Sequence, residues 1–161
     1  MKKLTILLLS GFLCLGAAAC SDNAKTAADA PNSTQASPEA PKVDEVQKAQ
    51  EDAQSETRRK QANADIKARE ERNNALNQGS AENRSEDDLE SEVRSKLETN
   101  IPNGELVVKA EDNGAVTVSG TVLKQDQLAK IEPLAREIKG VKSVNVKATV
   151  AAPKADGNKA Q

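Results

Sequence analysis

The chain has 161 residues, 23 of them basic and 25 acidic, with no histidine, tryptophan or tyrosine and a single phenylalanine, Phe12. The lack of imidazole removes the one side chain that ordinarily titrates near neutrality, together with histidine bases and histidine metal ligands. The lack of any aromatic ring other than Phe12 removes the platform on which single-stranded nucleic acid stacks. Serine, threonine, lysine, aspartate and glutamate are plentiful but fall in no catalytic spacing, so the chain reads as a non-enzyme without cofactor or metal.

Two lysines open the chain, the apolar run 4–16 follows, and Ala17-Ala18-Ala19 leads to Cys20. A 13-residue helix would rise about 20 Å, short of roughly 30 Å of bilayer hydrocarbon. The run therefore reads as an export signal rather than a span. The junction resembles a bacterial lipobox, whose cysteine becomes a diacylated, palmitate-bearing N-terminus. Ala17 stands where that pattern has a leucine-like residue, and it would equally suit an ordinary signal-peptidase site. Removing 1–19 takes Cys14 away and leaves Cys20 as the one cysteine, a lone thiol that lipidation explains. Ser21 rather than aspartate after it points, by resemblance to lipoprotein sorting, to the outer membrane over the inner. Without the signal the charge is 21 basic against 25 acidic residues, too mild to call for nucleic acid.

Residues 20–41 contain no large apolar side chain and read as a disordered tether, because they cannot bury enough surface to offset their ordering entropy. Residues 42–78 lack glycine and proline and read as a polar helical spacer with a solvated face. It has acid-first i,i+4 pairs at Asp44–Lys48, Glu56–Lys60 and Asp65–Arg69. The heptad positions counted from Val43 run Val, Val, Gln, Ala, Thr, Lys, Ala, which leaves no coiled-coil seam. Gly79 ends the segment.

Residues 85–150 read as the folded domain. Ser85 caps a helix with Asp88 at the reciprocal position of a capping box, and Leu89, Val93 and Leu97 line one face. The turn Ile101-Pro102-Asn103-Gly104 ends it. Two alternating strands follow, Leu106/Val108/Ala110 and Val116/Val118/Val122. Joining them by a three-residue loop, Asp112-Asn113-Gly114, pairs Val108 with Val118 and puts both apolar sets on one face. A second helix carries Leu128, Ile131, Leu134, Ala135 and Ile138, and Pro133 inside it costs roughly 3 kcal/mol unless the helix bends or restarts. Gly140 fits a left-handed position past its end. A final strand turns Val144, Val146, Ala148 and Val150 inward, while Thr117, Ser119 and Thr121 face outward. The expected architecture is α+β, a two-layer αββαβ sandwich with two helices on one face of a three-stranded sheet. A disordered tail, 151–161, follows.

The run Asn113-Gly114-Ala115-Val116-Thr117-Val118-Ser119-Gly120-Thr121-Val122 and the run Ile138-Lys139-Gly140-Val141-Lys142-Ser143-Val144, in this element order, resemble the BON domain (bacterial OsmY and nodulation). Pro133 departs from the usual alanine-rich second helix. The resemblance implies an exported, non-enzymatic envelope protein. Some members bind anionic phospholipid, typically through tandem copies, whereas this chain has one.

Charge along the domain is uneven: 86–123 carries net −6 and 124–150 net +3. The basic side chains Lys124, Lys130, Arg136, Lys139 and Lys142 are the candidates for lipid-headgroup contact, with the acidic first helix expected to face away from the bilayer. The leading reading is an envelope lipoprotein that binds or organises phospholipid, attached to the membrane through Cys20. The alternative is a docking or spacer module for another envelope protein or wall polymer, anchored only through that cysteine.

Overall fold

The computed structural model describes residues 24–154; Cys20, the stretch 1–19 expected to be an export signal, and residues 155–161 of the expected tail lie outside them. Among the described residues there are four helices and a mixed five-stranded sheet. In chain order these are β1 (Ala24–Lys25), α1 (Val43–Gln54), α2 (Glu56–Asn77), α3 (Glu86–Asn100), β2 (Glu105–Ala110) and β3 (Ala115–Val122). Then come α4 (Gln125–Arg136), β4 (Ser143–Val146) and β5 (Thr149–Val150).

The core is the one the apolar periodicity calls for. Leu89, Val93, Leu97 and Ile101 of α3 and its end meet Leu106, Val108, Val116, Val118 and Val122 of the hairpin, with Ile131 and Ala135 of α4, all buried. Val108 lies opposite Val118. The loop Asp112-Asn113-Gly114 is closed by a bond from the Gly114 amide to the Glu111 carbonyl (2.8 Å), and Gly114 has φ +82°. This is the three-residue bulged hairpin that same-face burial demands. β4 and β5 both run parallel to β3. The expected single last strand is thus split, and Val150 is exposed rather than inward.

α4 runs through Pro133 without a break. The proline is near the end, and after Arg136 the chain tightens into i→i+3 bonds at Glu137 and Ile138, so little regular helix remains to be disrupted. Ile138 reaches the core from that turn, not from the helix. Ser85 caps α3 by accepting from the Asp88 amide (3.2 Å). The reciprocal half of the capping box is not made, since Asp88 turns its carboxylate to Arg69 and Arg72.

The larger corrections lie N-terminal to the domain. The expected disordered tether is instead laid on the sheet from Ala24 onward. β1 pairs antiparallel with β2, and the Thr26 hydroxyl donates to the Gly104 carbonyl (2.7 Å) while accepting from the Leu106 amide (2.8 Å). The chain then crosses the outer face, where Ser119 Oγ donates to the Thr34 carbonyl (2.9 Å). It reaches the far side, where the Lys154 amide donates to the Pro41 carbonyl and the Val43 amide to the Lys154 carbonyl. The face expected to be polar and solvated is therefore covered at one end: Glu105, Val107, Ser119 and Thr121 are all buried. Pro31, Pro38 and Pro41 help to explain how a segment poor in apolar side chains does this, since their fixed φ lowers the entropy lost on ordering.

The polar spacer is likewise folded back. Ser55 breaks it, capping α2 through the Arg58 amide (3.1 Å). α2 then lies antiparallel along α3 with Arg58 beside Glu98 and Arg72 beside Asp88. Their contact is mainly polar. Asp65 accepts from Arg69 (3.0 Å), Ser91 (2.8 Å) and Ser95 (3.2 Å), and Arg69 reaches Asp88 (2.6 Å). Arg58, Ala62, Asp65, Arg69 and Arg72 recur at heptad-like spacing, but charge rather than hydrocarbon occupies most of the stripe.

Candidate functional site

All five basic side chains singled out in the sequence are exposed, but they do not form one patch. Lys124 precedes α4, and a 12-residue helix spans about 18 Å, so it stands at the opposite end from Arg136. Lys130 sits between, within 3.9 Å of Asp126. Arg136 pairs with Glu132 (2.8 Å) and donates to the Lys142 carbonyl (3.2 Å), which ties the end of α4 to the turn carrying Lys139 and Lys142. Arg136, Lys139 and Lys142 therefore gather at one end of the sheet. Gly140 makes that turn possible: it has φ +100°, and a Cβ there would meet the Ala81 carbonyl and the Arg84 side chain at about 3.1 Å.

That end is also where the chain enters. Ala24 lies opposite Val108 and Lys25 opposite Val107, so Ala24, the first described residue, is on the side where β2 runs into the hairpin loop. The Lys142 amide donates to the Gly114 carbonyl of that loop (2.8 Å). The acidic first turn of α3 sits here too, since Glu86 accepts from the Asp112 amide (3.0 Å). The net −6 and net +3 stretches do not become opposite poles, and the acidic helix start does not face away from the lysine turn.

Several of the acidic groups here are already paired, although exposed Asp87, Glu111 and Asp112 make no ion pair among the described residues. Asp88 is held by two arginines, Glu86 is 3.7 Å from Lys109, and buried Glu90 accepts from Lys109 (2.8 Å) and the Ala110 amide (3.0 Å). Glu86 and Glu90, one helical turn apart, thereby satisfy backbone donors of β2 and the loop where β1 is too short to do so. Lys124, Lys139 and Lys142 make no ion pair among the described residues.

Arg84, which the sequence did not mark, is the hinge between domain and wrap. Its side chain is 1% exposed; it donates to Glu70 of α2 (2.7 Å), to the Lys139 carbonyl (2.9 Å) and to Glu92 of α3. Glu92 is buried, with Oε2 unpartnered. Burial pushes its carboxyl up to about 7 against the pull of Arg84, with Glu70 and Asp88 adding like charge. Asp65 stays below its ordinary value. Burial pushes it up, but the hydrogen bonds from Ser91, Arg69 and Ser95 and the Arg69 charge outweigh that.

A cavity of about 1030 Å³ is a groove between the segment starting at Ala24 and helices α2 and α3, bordered by Lys25, Arg58, Arg69, Arg94 and Lys109. The last four already face carboxylates, whereas Lys25 donates to the Asn32 side chain (3.2 Å). Among the described residues no group of three acidic or cysteine side chains could hold a metal ion, and no helix is long and apolar enough to cross a membrane.

These residues form a small α+β module with a hydrocarbon core, a charged surface and a turn whose lysines make no ion pair among the described residues. The family model described as the BON domain matches residues 85–152, so the chain carries a BON domain over that stretch. As a family this domain is associated with the envelope or periplasm and with membrane and phospholipid binding. No curated protein and no solved structure matches the chain. The wrap, 24–84, lies outside the matched stretch.

Proposed function

We propose that the chain is an exported, non-catalytic lipoprotein, anchored through Cys20. Its BON domain meets anionic phospholipid headgroups with the end of the sheet that carries Lys139 and Lys142. The observation that carries this reading is the coincidence of two features at one end of the domain: the chain entry and exposed lysines without an ion pair. Cys20 is only four residues from Ala24, at most about 14 Å of extended chain. A lipid on Cys20 would hold that end against the bilayer, and each basic residue near an anionic surface contributes about 1 kcal/mol. The short link adds a high local concentration, which lets one domain copy suffice. Ser21 favours the outer membrane as the destination.

Three measurements test it. Mass spectrometry of the mature protein should find a diacylated Cys20, and Cys20→Ala should release the protein from membranes. Gradient fractionation should find the wild type in the outer membrane. Lys139→Glu/Lys142→Glu should abolish salt-sensitive capture of the Cys20→Ala protein by phosphatidylglycerol vesicles while leaving its melting curve unchanged. Vesicle capture that ignores both lysines would overturn the headgroup reading and leave docking to an envelope protein in its place.

A further inference from the structure

Where the wrap crosses the outer face of the sheet it closes a second cavity, of about 380 Å³, over the start of β2. Glu105 stands in its wall. The residue is 5% exposed and Oε1 is buried without a hydrogen-bond partner. Its cross-strand neighbour is Thr121, itself buried, so the sheet offers no compensating charge. The other charged groups of the wall come from the wrap: Asp29 and Glu39 from the crossing segment, Lys42 and Glu45 from the start of α1. Lys42 is within 3.2 Å of Glu45, and the same carboxylate accepts from the Lys42 amide (3.0 Å). The wall thus holds four carboxylates and one ammonium, and its most deeply buried carboxylate, Glu105, has an oxygen shut away from solvent without a hydrogen-bond partner.

We propose that this cavity binds a small linear organic polyamine, with Glu105 as the buried anchor for one ammonium group. Two observations choose this chemistry over a metal ion. No three acidic side chains among the described residues converge closely enough to hold a metal, whereas a calcium site needs six to eight oxygens at about 2.3–2.6 Å. Carboxylates spread around a cavity suit a ligand whose positive charges are also spread. The wall between them includes Ala30, Ala36, Pro31 and Pro41, apolar surface of the kind a run of methylenes covers. A bound ammonium would supply the charge-assisted hydrogen bond that Glu105 lacks.

Burial, and then the like charges of Glu45 and Asp29, push the Glu105 carboxyl up to about 7. Cation binding must displace that proton, so affinity rises with pH until the group is ionised.

The test is calorimetric titration of the full chain in detergent with spermidine, with magnesium chloride as the control at equal ionic strength. Saturable binding of spermidine at least tenfold tighter than magnesium is expected. It should strengthen by about fivefold from pH 6 to 7 and by about tenfold in all by pH 8, where it levels off. Glu105→Gln, which keeps shape and removes charge, should weaken it tenfold or more. Should that variant fail to melt cooperatively, Glu45→Gln is the second probe, with a several-fold loss expected. Magnesium or calcium binding as tightly as spermidine, no saturable heat, or unchanged affinity in the variants would each overturn the proposal.

Discussion

The BON domain and the wrap around it are built from different forces. Within the domain, α3 turns Leu89, Val93 and Leu97 to the sheet, where burial of each such side chain contributes about 1.5–3 kcal/mol. On its other side the same helix turns Asp88, Ser91, Ser95 and Glu98 to α2, where the contacts are ion pairs and hydroxyl–carboxylate bonds. Partly exposed pairs of that kind contribute about 0–1 kcal/mol each and weaken in salt. One helix therefore has a hydrocarbon seam and a polar seam. The first defines a fold, whereas the second makes a docked layer that responds to ionic conditions.

The comparison breaks most severely at Gly120. It has φ +118° in mid-strand, and a Cβ there would sit 2.0 Å from the Glu105 carbonyl oxygen. Gly120→Ala is expected to cost about 4 kcal/mol or more in urea denaturation, by combining a strained φ with a backbone clash. Loss of the cooperative transition would fit as well, while a cost below 1 kcal/mol would show that the hairpin tolerates a different register.

Arg84 tests the seam between the two regions. Arg84→Met should destabilise by about 3–4 kcal/mol at pH 8, because it leaves Glu92 as a buried charge without its counterion. The loss should shrink at pH 5, where Glu92 takes up a proton, and Arg84→Met/Glu92→Leu should recover most of it. A double variant no better than the single one would mean that the Glu70 and Lys139 contacts of Arg84 matter more than charge balance.

Glu105 sharpens the comparison by pH. Its folded pKa is raised, to about 7, above the unfolded value near 4.5. The native state then holds a proton that the unfolded chain has lost, so its contribution to stability is intact below about pH 4.5 and is lost as pH climbs to about 7. Glu105→Gln should match wild type at pH 4 and exceed it at pH 8 by roughly 3 kcal/mol in polyamine-free buffer. An equal gain at both pH values would show that the penalty is not one of ionisation.

The smallest effect belongs to the polar seam. Arg69→Gln should cost about 1 kcal/mol. In 1 M salt, hydrogen exchange should quicken along α2 while β3 stays protected. Uniform loosening of both would mean that wrap and domain unfold as one unit.

Apolar alternation and turn chemistry made most of the domain legible in the sequence. Leu106, Val108, Val116 and Val118 admit one register once they must share a face, and Gly114 and Gly140 stand where the backbone must turn left-handed. Those are local constraints, carried by residue type and spacing. Capping by Ser85 and the acid-first pairs of α2 were legible for the same reason, being set within a few residues of chain.

What only the tertiary structure decided is where polar residues go. Asp65, Arg69 and Arg72 read equally well as a solvated helix face or as one side of a polar seam, because a charge does not announce its partner and Asp88 is 16 residues away from the nearer arginine. The segment 24–41 has too little hydrocarbon to predict its own folding; it orders because β2 offers an unpaired edge and Ser119 an unpaired hydroxyl on the outer face. Burial of Glu105 follows from that cover, not from anything in β2 itself. Hydrophobic pattern is periodic and readable along the chain, whereas hydrogen-bond and charge complementarity exist only between segments that the fold has already brought together.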